Sequence, residues 1–279
     1  MLPRNAKQKF QALLPLPVAA LATYSLLSLV IFPLGLHGSA KAQPGSGNGT
    51  SSKTHILGWW RGEGNVDDSA SDNDDCEITS VTYAAGKVGK AMKFNGKDSR
   101  ASLCDSPSLQ TNGSFSIEGW LFVRAYNELG MVIFRGDNRV SLDPYYLCTT
   151  ASGNLRFHIG SESEAGVASI EAPIKLGQWT HFAATLDDTS GEMSLYLDGL
   201  KAAQATTTVR PLIALQRSEN PGVGIGNHSG WHNSSHRFPY DGLIDELSLY
   251  SGALTLDQIQ EIVKADSTGK PDSLKRATG

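Results

Sequence analysis

The sequence predicts an all-β domain of short strands with one short helix near its C-terminus. Of its 279 residues, 29 are glycine and only 19% are charged, which is typical of a turn-rich chain with few long helices. From Ile56 onwards, apolar and polar residues alternate over short runs separated by Gly- and Asx-containing turns. A different spacing begins at Thr255, a predicted N-cap, after which Leu256, Ile259 and Ile262 recur with helical periodicity.

The first 42 residues have the layout of a secretory signal peptide. Arg4, Lys7 and Lys9 precede an apolar stretch at 18–36, and the small-residue pattern Ala40-Lys41-Ala42 follows it. The apolar stretch approaches the roughly 20 residues that span a bilayer, so an uncleaved membrane anchor is the alternative. In both cases the remainder is exported. We therefore expect a secreted or cell-envelope protein, which contacts a membrane only through this segment if the segment is retained.

Three further regions follow the signal. Residues 43–54 are rich in Gly and Ser, lack apolar periodicity and are predicted to be a flexible linker. The folded domain is expected to extend from residue 55 to residue 265. Residues 266–279 contain few apolar side chains to bury, so we expect a disordered tail.

Charge and cysteine content exclude some classes of partner. The net charge of −4 and the isoelectric point near 6.0 argue against binding to nucleic acid. Cys76, Cys104 and Cys148 form no CxxC pair, so a zinc finger is not expected. One disulfide plus one free thiol is compatible with an oxidising compartment, and spacing leaves the pairing open.

Three features describe the interior of the predicted sheets. Residues 115–123 are apolar at most positions on both faces, as in a central strand that is covered on both sides. Asp198-Gly199 is the signature of a tight hairpin between two apolar runs. His181 lies in an alternating apolar run and is predicted to be a hydrogen-bonded core histidine rather than a metal ligand or catalytic base.

Residues 241–250 are predicted to form a strand that contains an unusual carboxylate. With a period of two, Asp245 shares one face with Leu243, Leu247 and Leu249. A buried and unpaired carboxylate is costly, so Asp245 must lie beside a cation, accept several backbone N–H bonds, or end the row in solvent. The first two arrangements would make Asp245 a site residue.

The polar and aromatic loop at 227–236 is the candidate ligand site. Trp231 offers a flat face for the C–H surface of a sugar, and His228, His232 and Asn233 offer partners for its hydroxyl groups. The alternative is that Trp231 packs into the core as a loop anchor. The three histidines would share one helix face, but Gly, Asn and Ser oppose that helix, so we do not expect a zinc site.

A set of motifs, in this order, resembles the laminin G-like, concanavalin A-like jelly-roll family over residues 55–265. The motifs are Trp60-Arg61-Gly62-Glu63-Gly64-Asn65, Gly86-Lys87-Val88-Gly89-Lys90-Ala91, Phe94-Asn95-Gly96, Phe115-Ser116-Ile117-Glu118-Gly119-Trp120, Trp179-Thr180-His181-Phe182-Ala183, Leu195-Tyr196-Leu197-Asp198-Gly199 and Gly242-Leu243-Ile244-Asp245-Glu246. The resemblance implies a jelly-roll sandwich of two antiparallel sheets. Many members of the family bind sugars, proteins or other surface molecules.

The resemblance also implies a structural calcium ion. Several relatives hold one ion with the Asp that corresponds to Asp245 and with a main-chain oxygen of the glycine that corresponds to Gly96, and Asp68 is a weaker third candidate. Cys76 and Cys104 depart from the family pattern. They are therefore the favoured pair for an added disulfide.

These observations predict an exported, non-catalytic binding module for carbohydrate or another extracellular ligand. A glycoside hydrolase is one alternative, since related jelly rolls hydrolyse glucans with two carboxylates about 5 to 10 Å apart. The Glu-x-Asp-x-x-Glu pattern of those hydrolases is missing from the sequence, and alternation directs Asp245 and Glu246 to opposite faces. The other alternative is a structural protein of the cell envelope.

Overall fold

Two antiparallel β-sheets pack face to face in the computed structural model, which describes residues 54–71, 75–139, 143–161, 166–219, 221–228 and 237–275. This arrangement confirms the predicted all-β, concanavalin A-like sandwich. The strands of the described residues are β1 Ile56–Trp60, β2 Asp75–Thr79, β3 Thr82–Ala85, β4 Lys90–Asn95, β5 Arg100–Cys104, β6 Phe115–Ala125, β7 Leu129–Gly136, β8 Tyr145–Thr150, β9 Asn154–Gly160, β10 Val167–Pro173, β11 Trp179–Leu186, β12 Glu192–Leu197, β13 Leu200–Thr206, β14 Gly222–Ile225 and β15 Asp241–Tyr250.

The chain alternates between the two sheets, so that most neighbours within a sheet are distant in sequence. The eight-stranded sheet has the order β13-β12-β11-β6-β15-β4-β3, with β1 also pairing with β15. The seven-stranded sheet has the order β10-β9-β8-β7-β14-β5-β2. The predicted central strand is confirmed, because β6 lies between β11 and β15 and buries Phe115, Ile117 and Leu121 between the sheets.

A bulge in β15 corrects the predicted alternation of that strand. Its pairing with β6 shifts between Asp245 and Ser248, and Glu246 has a positive φ of 53°. One extra residue reverses the direction of every later side chain. Leu247 therefore points into the core between the sheets together with Ile244, whereas Asp245 and Glu246 both lie on the outer face. The predictions that Asp245 shares a face with Leu247 and that it opposes Glu246 are wrong for this reason.

One helix, α1 Leu256–Ala265, covers part of the outer face of the eight-stranded sheet, as predicted. Thr255 caps it: its hydroxyl accepts a hydrogen bond from the backbone N–H of Gln258, whose side chain accepts one from the backbone N–H of Thr255. Ile259 and Ile262 pack on Tyr250 and its neighbours on the sheet. Among the described residues, no helix is both long and apolar enough to cross a membrane.

The predicted disorder of the C-terminal tail is wrong for residues 266–275. They form two short 3-10 turns, Asp266–Thr268 and Asp272–Leu274, and they bury Lys270 and Leu274 against the sheet. The composition of the tail is polar, but its lysine is paired with a buried carboxylate described below. Residues 276–279, like the predicted signal at 1–42 and most of the linker at 43–54, lie outside the described residues.

The predicted hairpin turn at Asp198-Gly199 joins β12 to β13. Asp198 and Gly199 have φ values of 49° and 77°, the left-handed conformations that a tight two-residue hairpin turn requires. Cys148 is a buried free thiol. The side chain of Cys76 lies outside the described residues, so its pairing with Cys104 stays a prediction.

Candidate functional site

Four stacked rings cross the outer face of the seven-stranded sheet, and we call them the aromatic row: His228, Phe134, Tyr146 and His158. The ring centroids are 4.0 Å apart for His228 and Phe134, and 6.5 Å apart for Phe134 and Tyr146. Those of Tyr146 and His158 are 4.3 Å apart, with the ring planes only 8° from parallel. Strand register produces the row, since Phe134, Tyr146 and His158 are direct partners on β7, β8 and β9.

Only one end of the aromatic row is open to solvent. Phe134, His228 and Tyr146 expose 1%, 6% and 9% of their surface, whereas His158 is half-buried. The imidazole of His158 forms a 2.7 Å hydrogen bond with the hydroxyl of Ser169, which is exposed on β10. Burial, with a further effect of the Arg156 charge, lowers the pKa of His158 to about 4. The ring is therefore neutral at pH 7 and offers a flat, uncharged face.

A charged pair lies beside the open end of the row. Arg156 on β9 and Glu171 on β10 are cross-strand partners, and Arg156 Nε lies 2.5 Å from Glu171 Oε1. Both side chains are 31% exposed, and the amide of Asn154 donates a 3.0 Å hydrogen bond to Glu171. This part of the sheet thus combines a ring face with charged and amide groups that can bind hydroxyls.

Asp143 adds a carboxyl group near the same rings. It precedes β8, and a Cβ placed at Gly136 would lie 3.1 Å from its Oδ1. Burial, and then the nearby Asp137 charge, raises the pKa of Asp143 to about 7. A carboxyl group that is partly protonated at neutral pH can both donate and accept hydrogen bonds.

Of the four predicted ligand residues, the structure describes one. His228 is buried against Phe134 and Phe238. Its ring therefore packs within the outer face of the sheet and is not exposed to a ligand. The side-chain oxygen of Asn227 accepts hydrogen bonds from the N–H groups of His228 and Phe238 and so joins both ends of the loop at this face. Trp231, His232 and Asn233 lie outside the described residues.

The sequence analysis missed Tyr146 and His158 as site residues. A signal was present, because His158 and Arg156 alternate with the core residues Leu155, Phe157 and Ile159. That alternation assigns His158 and Arg156 to an outer face. Which residues of β8 and β10 lie beside them depends on strand pairing, which the sequence does not state.

The outer face of the eight-stranded sheet holds a second polar group, which we call the buried charge cluster: Glu118, His181, Tyr250 and Lys270. Glu118 Oε1 accepts hydrogen bonds from the Tyr250 hydroxyl at 3.1 Å and from the Lys270 ammonium, and Oε2 lies 3.2 Å from Nε2 of His181. Burial alone would raise the pKa of Glu118, but Lys270 and His181 outweigh it and hold the pKa at about 2. The predicted hydrogen-bonded core role of His181 is confirmed.

Of the three residues predicted to bind calcium, Gly96 does not lie beside Asp245. Gly96 lies against Asp241, where a Cβ would meet the Asp241 carboxylate at 2.7 Å. Asp241 is four residues from Asp245 along β15, roughly 13 Å in an extended strand. Asp68 already accepts hydrogen bonds from the N–H groups of Trp59 and Ala70. Across the part of the chain that the structure describes, no three His, Cys, Asp or Glu residues form a metal-sized group.

Asp245 itself is compensated by backbone N–H groups, one of the three arrangements that the sequence allowed. Its Oδ2 accepts hydrogen bonds from Lys87 at 2.7 Å and Val88 at 2.8 Å. Its Oδ1 is buried and has no hydrogen-bond partner. Burial is the main cause that raises the pKa of Asp245 to about 7. The unpartnered oxygen is the one local observation that fits a cation at this position.

The geometry defines a two-sheet sandwich whose outer faces differ, one covered and one partly open. Residues 95–260 match the family model described as the concanavalin A-like lectin/glucanases superfamily. The chain belongs to this superfamily. No curated protein sequence matches the chain.

Solved structures of low sequence identity share the fold. The binding domain of Paraclostridial Mosquitocidal Protein 1 is 15% identical with a TM-score of 0.59, and the match covers 76% of this chain and 52% of that one. Domain 4 of AbnA, a GH43 extracellular arabinanase from Geobacillus stearothermophilus in complex with arabinotriose, is 23% identical with a TM-score of 0.54, covering 75% and 98%. The binding domain of botulinum neurotoxin DC in complex with rat synaptotagmin II is 12% identical with a TM-score of 0.56, covering 76% and 51%. The chain thus spans about half the length of the toxin domains.

Proposed function

We propose that this protein is an exported, non-catalytic binding module whose ligand is a carbohydrate. The observation that carries the proposal is the open end of the aromatic row, where the neutral ring of His158 lies stacked on Tyr146 beside the pair of Arg156 and Glu171. A ring face suits the C–H surface of a sugar, and the flanking charged groups suit its hydroxyls. Domain 4 of AbnA, which shares the fold, is described in complex with arabinotriose, which supports this ligand class.

A glycan panel that includes arabinotriose tests the proposal with the full chain. His158→Ala should weaken binding about 2- to 12-fold, the range expected for one ring contact. Arg156→Ala removes a charged hydrogen-bond donor and should weaken binding roughly 10-fold or more. Lys201→Ala is the matched control, because Lys201 forms an exposed ion pair on the other sheet. Equal binding by all four proteins would contradict a site on this face.

Trp231 and the other loop residues stay part of the proposal. His228 and Phe238, described residues on either side of this loop, lie at the buried end of the aromatic row. Trp231→Ala should weaken glycan binding and leave the melting temperature nearly unchanged. A large fall in melting temperature would instead support the alternative role as a core anchor.

A protein ligand and catalysis are the alternatives. The neurotoxin domain in complex with synaptotagmin II has this fold, so an extracellular protein is the second candidate ligand. Release of reducing ends from arabinotriose by the wild-type protein would favour a hydrolase. In the described structure the carboxylates Glu118 and Glu246 are buried and bonded to Lys270, Tyr250 and Trp59, which supports a non-catalytic role for them.

We also propose that export follows cleavage near Gln43, because Ala40-Lys41-Ala42 ends the apolar segment. N-terminal sequencing of exported protein should begin at about this residue. An intact Met1 terminus in the membrane fraction would support the uncleaved anchor instead.

A structural calcium ion at Asp245 is proposed on the basis of its unpartnered oxygen. The ion would bind only the folded state and stabilise it by roughly 3 kcal/mol at a hundredfold excess over Kd. Calcium should raise the melting temperature of the wild type and leave that of Asp245→Asn unchanged. Chelator-insensitive melting of the wild type would remove calcium from the proposal.

A disulfide between Cys76 and Cys104 is proposed as well, since β2 pairs with β5 at this edge and Cys148 is a free thiol. Closing this loop should contribute about 3 kcal/mol. Cys104→Ser should lower the free energy of unfolding by that amount, and reduction should have no further effect on the variant. Cys148→Ser is the control for a thiol outside the bond.

A further inference from the structure

The C-terminal residues 266–275, which we call the strap, are attached to the two sheets by side chains. The backbone hydrogen bonds described for the strap lie within it, such as that from the Gly269 N–H to the Asp266 carbonyl, or join its first residue to α1, from the Asp266 N–H to the Val263 carbonyl. Its contacts with the domain include the exposed ion pair of Asp266 with Lys87, the buried Leu274 and the buried Lys270. A segment whose backbone is bonded to the preceding helix and not to the strands can leave the sheet surface while both sheets stay paired.

Beneath the strap lies a pocket with the chemistry of an ammonium receptor. The Lys270 ammonium contacts Glu118, and the Trp59 ring centroid is 5.6 Å from its nitrogen. The Tyr250 hydroxyl bonds to the same carboxylate. Carboxylate, phenol and indole are the groups that recognise primary ammonium ions in proteins. Glu118, Tyr250 and Trp59 belong to strands of the eight-stranded sheet, whereas Lys270 belongs to the strap.

The pocket continues into an open cavity beside the lysine. The cavity has a volume of about 300 Å³ and is lined by Trp59, Arg61, Glu246, Lys270 and Gly269, among others. Glu246 supplies a second buried carboxylate there, held by a 2.9 Å hydrogen bond from the Trp59 indole. Its positive φ of 53° is a strained conformation for a residue other than glycine, at the bulge that turns it to this face. Glu118 and Glu246 therefore both lie near the Lys270 ammonium, and Glu246 is also paired with Arg61 at 3.5 Å.

We propose that the strap is displaceable and that Lys270 occupies, within its own chain, a site for a primary ammonium group such as a lysine side chain of a partner protein. Displacement of the strap uncovers Glu118, Tyr250 and Trp59 on the outer face. An incoming ammonium restores the ion pair that the departing Lys270 breaks. The exchange conserves charge in the pocket, so a partner lysine can take the place of Lys270 when the strap has left.

Chemical rescue of a truncated lysine tests the site. Lys270→Ala leaves Glu118 without its cation and should lower the melting temperature by about 10 °C, as expected for breaking a buried ion pair in a domain of this size. n-Butylammonium has the four-carbon stem and charge of a lysine side chain and should recover at least half of that loss, with saturation. Lys264→Ala, on the exposed face of α1, is the matched control and should show neither effect. n-Butanol, the neutral analogue, should rescue neither variant.

The proposal would be overturned if n-butylammonium raised the melting temperatures of both variants equally. It would also be overturned if the melting temperature of Lys270→Ala equalled that of the wild type. If Lys270→Ala does not fold, Leu274→Ser provides the second test, because it removes a buried apolar anchor of the strap and keeps the pocket. This variant should bind n-butylammonium at least 10-fold more tightly than the wild type. In the wild type, backbone amides of the strap should exchange with solvent at least 100-fold faster than those of β6, and equal protection would contradict displacement.

Discussion

The two outer faces of the sandwich carry polar groups under opposite conditions. On the eight-stranded sheet, α1 and the strap cover Glu118 completely, so the carboxylate is bonded to Lys270, His181 and Tyr250. On the seven-stranded sheet, Arg156 and Glu171 keep about a third of their side-chain surface exposed. A buried charged side chain must be paired within the protein, whereas an exposed charged side chain can exchange its partner for a ligand.

Two carboxyl groups, one on each face, differ in the direction of their pKa shifts. Glu118 has its pKa lowered to about 2, because Lys270 and His181 outweigh the effect of burial. Asp143, near the aromatic row, has its pKa raised to about 7 by burial and by the Asp137 charge. Glu118 therefore stays charged in the folded state, whereas Asp143 tolerates the neutral form, as does Asp245 on the same face as Glu118.

The largest expected effect is the loss of the covered carboxylate. Glu118→Leu leaves Lys270 buried without its anion and should lower the free energy of unfolding by about 3–5 kcal/mol, measured by urea denaturation. Glu192→Gln breaks the exposed pair with Lys201 and should cost less than about 1 kcal/mol. Equal losses of unfolding free energy in the two variants would mean that burial does not determine how strongly a charged pair stabilises this fold.

The pH dependence of stability should distinguish Asp143 from Glu118 by its sign. Because the folded-state pKa of Asp143 is raised, its contribution is present below pH 3.8 and is lost as the pH rises through about 7. Asp143→Asn should therefore match the wild type near pH 4 and exceed it at pH 8 by on the order of 2–4 kcal/mol. The contribution of Glu118, whose pKa is lowered, is present above pH 4.5 and is lost as the pH falls towards 2.

These two dependences predict a measurable pattern. Urea denaturation at pH 3, 4 and 8 should show Glu118→Leu approaching the wild type at acid pH and Asp143→Asn gaining on it at pH 8. Asp245, with a raised pKa of about 7, shifts wild-type stability in the same direction as Asp143. The comparison must therefore use the difference between variant and wild type. A constant difference at all three values would contradict the assignment for that residue.

The smallest expected effect on stability belongs to the open face. Arg156→Ala breaks an exposed ion pair and should lower the free energy of unfolding by about 1 kcal/mol or less. The same substitution should reduce glycan binding roughly 10-fold, as proposed above. Glu171→Gln is the matched partner variant. A large loss of stability with unchanged binding would assign the pair to structure and remove it from the site.

Sequence patterns predicted local structure well where residues close together in the chain determine that structure. The N-cap at Thr255 and the apolar stripe of α1 were readable because helix contacts repeat within a few residues. The Asp198-Gly199 turn was readable because its backbone conformation suits few residue types. The run at 115–123 was readable because a strand covered on both sides is apolar at nearly every position.

The candidate sites were readable only in part. His228 was predicted as a site residue, but its burial against Phe134 depends on the pairing of β7 with β14. Tyr146 and His158 are twelve residues apart and meet because β8 and β9 pair in one particular register. Gly96 was assigned to Asp245 by resemblance, whereas the structure places it beside Asp241.

The sequence by itself determined the fold class, the family, the terminal helix and the need of Asp245 for compensation. Tertiary structure alone decided how that need is met, because the bulge at Glu246 reverses the faces of β15 and turns Asp245 towards the N–H groups of Lys87 and Val88. It also decided that a polar tail is ordered. No apolar pattern in the sequence indicates that Lys270 is buried, and its partner Glu118 lies 152 positions earlier in the chain. Periodicity reports neighbours within a few residues, whereas the energy of a charge depends on partners that only folding brings near.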